Sequence, residues 1–306
     1  MKRVNAILKK ILPKKLVKVY INYQNNKNKD AIYFYTKDNL AYVYRKKQGL
    51  INHADEIETI ALRGSTADCD FSPQCIKNSY NLGLTSLDVY GTYYLYLKSK
   101  EALPNLKNII YYVCGLVPGM SLIKTREKHR AVPYKYFFDI PYQEEGLIDK
   151  KIEEKNLEEC KKTKVYVPKN YHGYEKKYTF VRELDAVIRA KTILRENKRE
   201  PDQMVWIKKI IDQIIEDKKN IYIVIPHYST ALENNLPPKE ELYKKIYSLL
   251  SNYKDIPNVQ LIDLYDSDLF DDSDMEDHDH YNKKGAAKST RIIKEYIDKH
   301  DSSIKE

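Results

Sequence analysis

Two short stretches, far apart in the chain, hold the residue types of an acyl-transfer site. One is Gly64-Ser65, which follows an apolar run over residues 57–62. The other is Asp277-His278-Asp279-His280-Tyr281-Asn282-Lys283-Lys284-Gly285-Ala286, where an acid precedes a histidine by three residues. A serine hydroxyl that attacks an acyl carbonyl must lose its proton. An imidazole takes that proton, and a carboxylate fixes the tautomer and orientation of the imidazole. Asp277 is close enough in sequence to lie beside His280 within one turn. Ser65 is thus the expected nucleophile, His280 the expected base and Asp277 the acid that orients it.

Such a site needs a scaffold that joins two remote segments. Residues 57–63 read as a buried strand ended by Gly64, and short strands are expected at 79–83, 108–114, 221–225 and 259–264. Between them lie helical patterns at 86–100, 202–218 and 238–253, with a last one at 285–299. The helix over 202–218 has its stripe at Met204, Ile207, Ile210, Ile211, Ile214 and Ile215. Strands separated by helices require crossovers, and hence a mostly parallel sheet covered on both faces. The fold class is α/β, with three α/β/α layers around five strands. Reactive groups in such sheets gather at the carboxyl ends of the strands, which brings Ser65 and the 277–280 loop to one edge.

The remaining segments are less regular. Residues 31–36 and 40–45 are strand-like runs separated by Lys37-Asp38-Asn39 and read as a hairpin. With the N-terminal stretch they form an expected extension over residues 1–55, ahead of an α/β domain at 56–300. Within that domain, 116–200 reads as an insertion or cap. It contains Pro118, Pro133, Pro141 and Pro168, and it turns helical over 181–197. Val4, Ile7, Leu8, Ile11 and Leu12 share one helical face among lysines. A basic amphipathic helix of this kind rests either on its own domain or on an anionic membrane surface, through residues 1–20.

The bulk numbers bound the function. With 306 residues, 42% hydrophobic and 32% charged, the chain affords a large core and is not disordered as a whole. The net charge of +9 suits a lysine-rich solvated surface or an anionic partner. No zinc-finger spacing or RNP-like motif is present, so nucleic acid is not an expected partner. Cys69, Cys75, Cys114 and Cys160 form no CxxC pair and read as free thiols of a reducing compartment. No run of about 18 apolar residues suggests a membrane span. The basic N-terminal stretch has no uninterrupted apolar segment or small-residue cleavage site of the secretory kind. The expected location is cytoplasmic, or peripheral at the inner face of the membrane.

The joint pattern resembles the SGNH/GDSL hydrolase superfamily, in which a first-block serine and a fifth-block Asp-x-x-His form the catalytic set. Asp277 to Gly285, led by Val-Gln-Leu-Ile-Asp-Leu, resembles the fifth block, and Ile60-Ala61-Leu62-Arg63-Gly64-Ser65-Thr66 resembles a variant first block. Asn81-Leu82-Gly83 is similar to the second block, whose glycine supplies an oxyanion-hole amide. The resemblance covers about residues 57–115 and 202–299. It implies backbone donors at Ser65 and Gly83, and a place among SGNH-like proteins of bacterial surface-polysaccharide synthesis. The implied activity is that of a serine esterase or O-acyltransferase on a carbohydrate ester. No cofactor is expected, apart from an acyl donor such as acetyl-CoA if the reaction is a transfer.

One departure stands out. The third block normally supplies an asparagine to the oxyanion hole, whereas this chain reads Cys114-Gly115-Leu116-Val117-Pro118-Gly119. Losing one such donor typically costs about 10²–10³ in rate. A catalytically inactive carbohydrate-binding or assembly protein of the same fold is therefore the alternative, and a peripheral membrane scaffold is a third. Arg63, Arg182, Arg189 and His227 are candidate contacts for an anionic sugar or phosphate. The acidic run from Asp266 to Asp279 lacks the glycine of an EF-hand. His278 and His280 around Asp279 are possible metal ligands, but the following Asn-x-x-Gly-Ala favours the triad, and no metal is assigned.

Overall fold

The computed structural model describes residues 37–142, 150–175, 186–200 and 203–303. Five strands, β1 (Thr59–Leu62), β2 (Ser79–Asn81), β3 (Asn108–Tyr112), β4 (Asn220–Ile225) and β5 (Val259–Asp263), form one sheet in the order β2-β1-β3-β4-β5. Every pairing is parallel, with Ile60 opposite Ile109, Ile110 opposite Tyr222 and Val224 opposite Ile262. β1, β2 and β3 are buried along their whole length, as expected when helices cover both faces.

The side-chain period of two sorts the strands into two apolar layers. Ile60, Leu62, Ile109, Tyr111, Ile221, Ile223 and Ile225 face one core; Ala61, Ile110, Tyr112, Tyr222, Val224 and Ile262 face the other. The first layer is covered by α1 (Lys37–Asn52), α3 (Val89–Ala102) and α7 (Met204–Glu216), and by α9 (Lys239–Leu242) and α10 (Lys244–Leu250). α7 buries Ile207, Ile210, Ile211 and Ile214, a spacing of i, i+3, i+4 and i+7. Each of these contributes about 1.5–3 kcal/mol by burial. The second layer is covered by α2 (Ser65–Asp70) and α11 (Lys283–Ser303), which pack on each other. The result is the expected three-layer α/β/α fold.

The expected hairpin is corrected. Residues 31–36 lie outside the described part, as do residues 1–20, and residues 40–45 belong to the helix α1. The alternation at Tyr42-Val43-Tyr44 is local. Over three turns Leu40, Val43, Lys46 and Leu50 are buried at helical spacing, with Tyr42 and Gly49 beside them, and that period outweighs it. The single helix expected over 238–253 divides at Tyr243 into α9 and α10.

The insertion holds α4 (Ala131–Phe138), α5 (Lys150–Lys162) and α6 (Ala186–Asn197). α4 packs on α1 and α5, and α6 packs on α8 (Thr230–Glu233). The stretch 171–175 runs along the exposed edge of the sheet. The Asn81 N–H donates to the His172 carbonyl at 2.9 Å, and Arg45 clasps Glu175 through Nε at 2.7 Å and Nη2 at 2.6 Å. Gly173, at φ 82°, is required there, because a Cβ would stand 2.0 Å from the Asn81 carbonyl oxygen. Covering the short edge strand in this way removes unpaired backbone groups.

Candidate active site

β1 ends at Leu62, the chain turns at Arg63-Gly64, and Ser65 is the first residue of α2. Arg63 takes φ 126°, a conformation that costs a non-glycine residue about 1–3 kcal/mol and is found where the surroundings over-determine a functional turn. Being at the first helical position, the Ser65 N–H has no acceptor within α2.

A buried network beneath the serine holds α2 in place. Asn81 Nδ2 donates to the carbonyls of Ala67 at 2.9 Å, Asp68 at 3.2 Å and Phe71 at 2.8 Å, closing the C-terminal end of α2. Lys46 Nζ donates to Asp68 Oδ1 at 2.7 Å, to the Asn81 carbonyl at 3.0 Å and to Asn81 Oδ1 at 3.2 Å. Tyr42 and Thr85 hydroxyls complete Asp68 Oδ2 at 2.7 and 3.3 Å. All three donors of the ammonium and both carboxylate oxygens are thereby satisfied, the condition under which a buried charge pair is tolerated.

The base arrives from the other end of the sheet. β5 is an edge strand, yet the loop that follows it returns to β1 because α11 lies against α2. The Ser72 N–H donates to Thr290 Oγ1 at 2.8 Å, and the Tyr281 N–H donates to Asp70 Oδ1 at 2.8 Å. An antiparallel bridge between Met275 and Tyr281 closes the loop that carries Asp277 and His280. Within it, Asp277 Oδ1 accepts the N–H groups of Asp279 at 3.0 Å and His280 at 2.9 Å. A second clip joins it to the end of β4, where Ser229 Oγ meets His278 Nδ1 at 2.9 Å.

The outcome is a closed relay. His280 Nε2 stands 2.9 Å from Ser65 Oγ, and His280 Nδ1 stands 2.9 and 3.0 Å from the two oxygens of Asp277. These separations lie within the reach needed between nucleophile, base and orienting acid. Burial alone would lower the basicity of the ring, but the Asp279 and Asp277 carboxylates outweigh it and push the His280 pKa up to about 9. Burial likewise favours protonation of Asp277, and the adjacent His280 and backbone donors reverse it, holding the carboxyl below its ordinary value. Asp277, Asp279 and His280 bring one ligand atom each within 4.8 Å of one another. Those atoms already have partners: Arg189 bonds both Asp279 oxygens, and His280 Nδ1 faces Asp277.

The structure brings Ser65, Asp277 and His280 together as expected, and it corrects several neighbours. The Gly83 N–H is not open to a substrate, since it donates to Asn81 Oδ1 at 3.0 Å. Gly83 serves close packing instead, as a Cβ there would stand 2.3 Å from the Asp68 nitrogen. The Gly115 N–H is also taken, by the Tyr228 hydroxyl at 2.9 Å. Arg63 does not line a surface: it is buried, with Nη1 at 3.5 Å from the Leu87 carbonyl, Nη2 at 3.8 Å from Cys114 Sγ, and Nε without a partner. His227 is a buried loop histidine on the Tyr265 carbonyl at 2.9 Å, stacked on Phe270, and its backbone N–H donates to the Tyr281 hydroxyl at 2.9 Å. Arg182 lies outside the described residues. The four cysteines are unbridged.

Asp70, Asp279 and the Lys46–Asp68–Asn81 network were not foreseen as parts of the site. Asp279 was visible only as one acid in a run. Lys46 fell in a segment read as a continuation of the hairpin region. Arg189 was foreseen as an anion contact and instead holds Asp279. An open groove lined by Met204, Lys245, Ser248, Leu249 and Asn252 lies between α7 and α10 and contains none of the catalytic side chains. No family model and no curated protein matches the chain.

Proposed function

We propose that the chain is an SGNH-type serine esterase or O-acyltransferase that acts on a carbohydrate ester in surface-polysaccharide synthesis. The observation that supports it most is the 2.9 Å approach of Ser65 Oγ to His280 Nε2, with Nδ1 of the same ring on Asp277. Ser65 attacks the acyl carbonyl as neutral His280 removes its proton, forming the Oγ–C bond. The Ser65 N–H faces the developing oxyanion. His280 then returns the proton to the departing group, an alkoxide from an ester or a thiolate from an acyl-CoA, leaving an acyl-serine. Water as second acceptor completes hydrolysis; a sugar hydroxyl completes transfer, with a donor such as acetyl-CoA. Water exclusion separates the two outcomes.

Acylated glycan is the partner of this reading, and nucleic acid is not. No described helix is long and apolar enough to cross a membrane. On this reading the protein works in the cytoplasm, and residues 1–20 are the candidate contact with an anionic membrane face. A second reading, a carbohydrate-binding protein that keeps the fold without catalysis, is favoured by one specific observation: the amides of Gly83 and Gly115 are both engaged. A fluorophosphonate probe discriminates. Labelling of the full chain that accelerates with rising pH and vanishes in Ser65→Ala is the expected result. No labelling between pH 7 and about 9.5, with glycan binding retained, selects the second reading.

A further inference from the structure

The insertion delivers a charged side chain into the catalytic loop. Arg189, on α6, donates through Nε to Asp279 Oδ1 at 2.9 Å and Oδ2 at 3.0 Å, and through Nη2 to Oδ2 as well. Asp279 precedes His280, and its Oδ1 stands 3.6 Å from His280 Nδ1. The ring therefore has two carboxylates on the same nitrogen, Asp277 at hydrogen-bond distance and Asp279 just beyond it. Nδ1 carries one hydrogen, so it can satisfy only one of them. The side chain of Asp279 is 5% exposed, so water screens it poorly.

An unpaired Asp279 would harm a general base in either of two ways. Turning toward Nδ1, it would pull the ring off the line between Asp277 and Ser65. Staying in place, it would add an uncompensated negative charge that holds the proton on Nε2. The forked guanidinium answers both, since it fixes the carboxylate geometrically and offsets its charge.

We propose that Arg189 is a positioning residue: by engaging both oxygens of Asp279 it leaves Asp277 as the sole orienting carboxylate of His280, and so makes readiness of the base depend on docking of the insertion. This rests on the reading of Ser65 and His280 as an acyl-transfer pair. The groups that face the ring are consistent with the assignment. Asp277 and Asp279 come from its own loop, Asp70 and the Cys69 thiol stand at the end of α2 beside Asp277 and His280, and Arg189 is the cation contributed by α6. Burial raises the Asp70 carboxyl and the Cys69 thiol above their ordinary values, and Asp70 adds to the raised His280 pKa after Asp279 and Asp277. The carboxylates at His280 are thus Asp279, Asp277 and Asp70, and Arg189 engages the first of them.

The test is a histidine-selective NMR titration of the full chain, run beside the pH profile of p-nitrophenyl acetate hydrolysis. Wild type, Arg189→Gln, Arg189→Lys, Asp279→Asn and the Arg189→Gln/Asp279→Asn pair are compared. The His280 midpoint rises by about one pH unit in Arg189→Gln, as for loss of a neighbouring cation, and kcat/KM at pH 7 falls about tenfold. Arg189→Lys keeps the charge but not the fork and shifts less. Asp279→Asn lowers the midpoint below wild type, and the double variant returns it to the wild-type position or lower, with recovered kcat/KM. An unmoved midpoint in Arg189→Gln, or a double variant as impaired as the single one, would show that Arg189 only holds α6 in place and would overturn the proposal. If Arg189→Gln does not fold, the opposite displacements in Arg189→Lys and Asp279→Asn decide. The NMR readout needs no turnover. A midpoint that moves as described in a protein that never labels at Ser65 counts against the acyl-transfer reading, not against this charge arrangement.

Discussion

Two ion pairs flank the Ser65 hydroxyl and the His280 imidazole, and they differ in kind. Lys46–Asp68 lies under α2 with both side chains at 0% exposure; Arg189–Asp279 lies beside His280 at 19% and 5%. In the first, every donor and acceptor is matched by core residues of α1, α2 and β2. In the second, one partner comes from the catalytic loop and the other from an insertion. The contrast separates two jobs that a nucleophile–base pair requires. The serine must be immobile, which calls for a saturated and dry network. The base must change protonation state, which calls for a charge balance that can be adjusted.

The largest expected effect comes from breaking the first pair. Lys46→Met leaves the Asp68 carboxylate buried without its cation, which typically costs about 3–5 kcal/mol. Urea denaturation monitored at the single tryptophan, Trp206, measures it. Lys46→Met/Asp68→Asn removes both charges and is expected to recover much of that loss. Arg189→Met should cost less stability than Lys46→Met, because its pair is partly solvated. Equal losses in the two single variants would erase the distinction between a structural and an adjustable pair.

Next in size is the network's neutral member. Asn81→Ala removes the amide nitrogen that reaches three carbonyls at the end of α2, and the acceptor of the Gly83 N–H. At about 1 kcal/mol per net hydrogen bond, the expected loss is about 2–3 kcal/mol. It also frees the Gly83 amide. If that amide can then serve an oxyanion, fluorophosphonate labelling per folded molecule rises while stability falls. Falling labelling in proportion to stability would mean that Asn81 only braces α2.

These contrasts also show what the chain disclosed before folding. The strand–helix alternation, the isoleucine stripe of α7 and the Asp-x-x-His spacing are local patterns, and each is found where its period places it. The meeting of Ser65 with His280 was legible because a parallel sheet collects loops at one edge. The hairpin failed because alternation over a few residues around Tyr42 could not reveal that Leu40, Val43 and Leu50 would share a core. The engagement of Gly83 was hidden for a related reason: whether an amide is open depends on where Asn81 turns its side chain, which no spacing records. Arg189 and Asp279 are remote in sequence, and their pairing exists only once α6 has packed on α8.

A smaller effect concerns pH and stability. His280 has a folded pKa of about 9 against an ordinary 6.5. A raised value means that the folded state binds the proton more tightly. The stabilisation is complete below about pH 6.5 and is lost as pH rises through about 9. Catalysis runs the other way, because the base must be neutral: kcat/KM should climb with pH up to about 9. Stability and activity therefore cross in the same window, and His280→Gln should flatten the stability profile there. A kcat/KM plateau already reached at pH 7 would show that the two carboxylates do not hold the proton.

The smallest expected effect belongs to Asp70, two residues beyond the well-matched Asp68 on the same helix. Its Oδ1 accepts the Tyr281 N–H, but its Oδ2 is buried with no partner. Burial raises its pKa well above the ordinary carboxylate value. Stability from this group is complete below an unfolded value of about 3.9 and is lost as pH rises through the folded value. Asp70→Asn keeps the acceptor for Tyr281 and removes the ionisation. The variant should match wild type below about pH 4 and become relatively more stable as pH rises above that value. The difference between the two denaturation profiles, not either midpoint alone, is the measurement. A variant less stable than wild type by the same amount at every pH would mean that Asp70 is ionised throughout and paired, making it a second Asp68 rather than its counterpart.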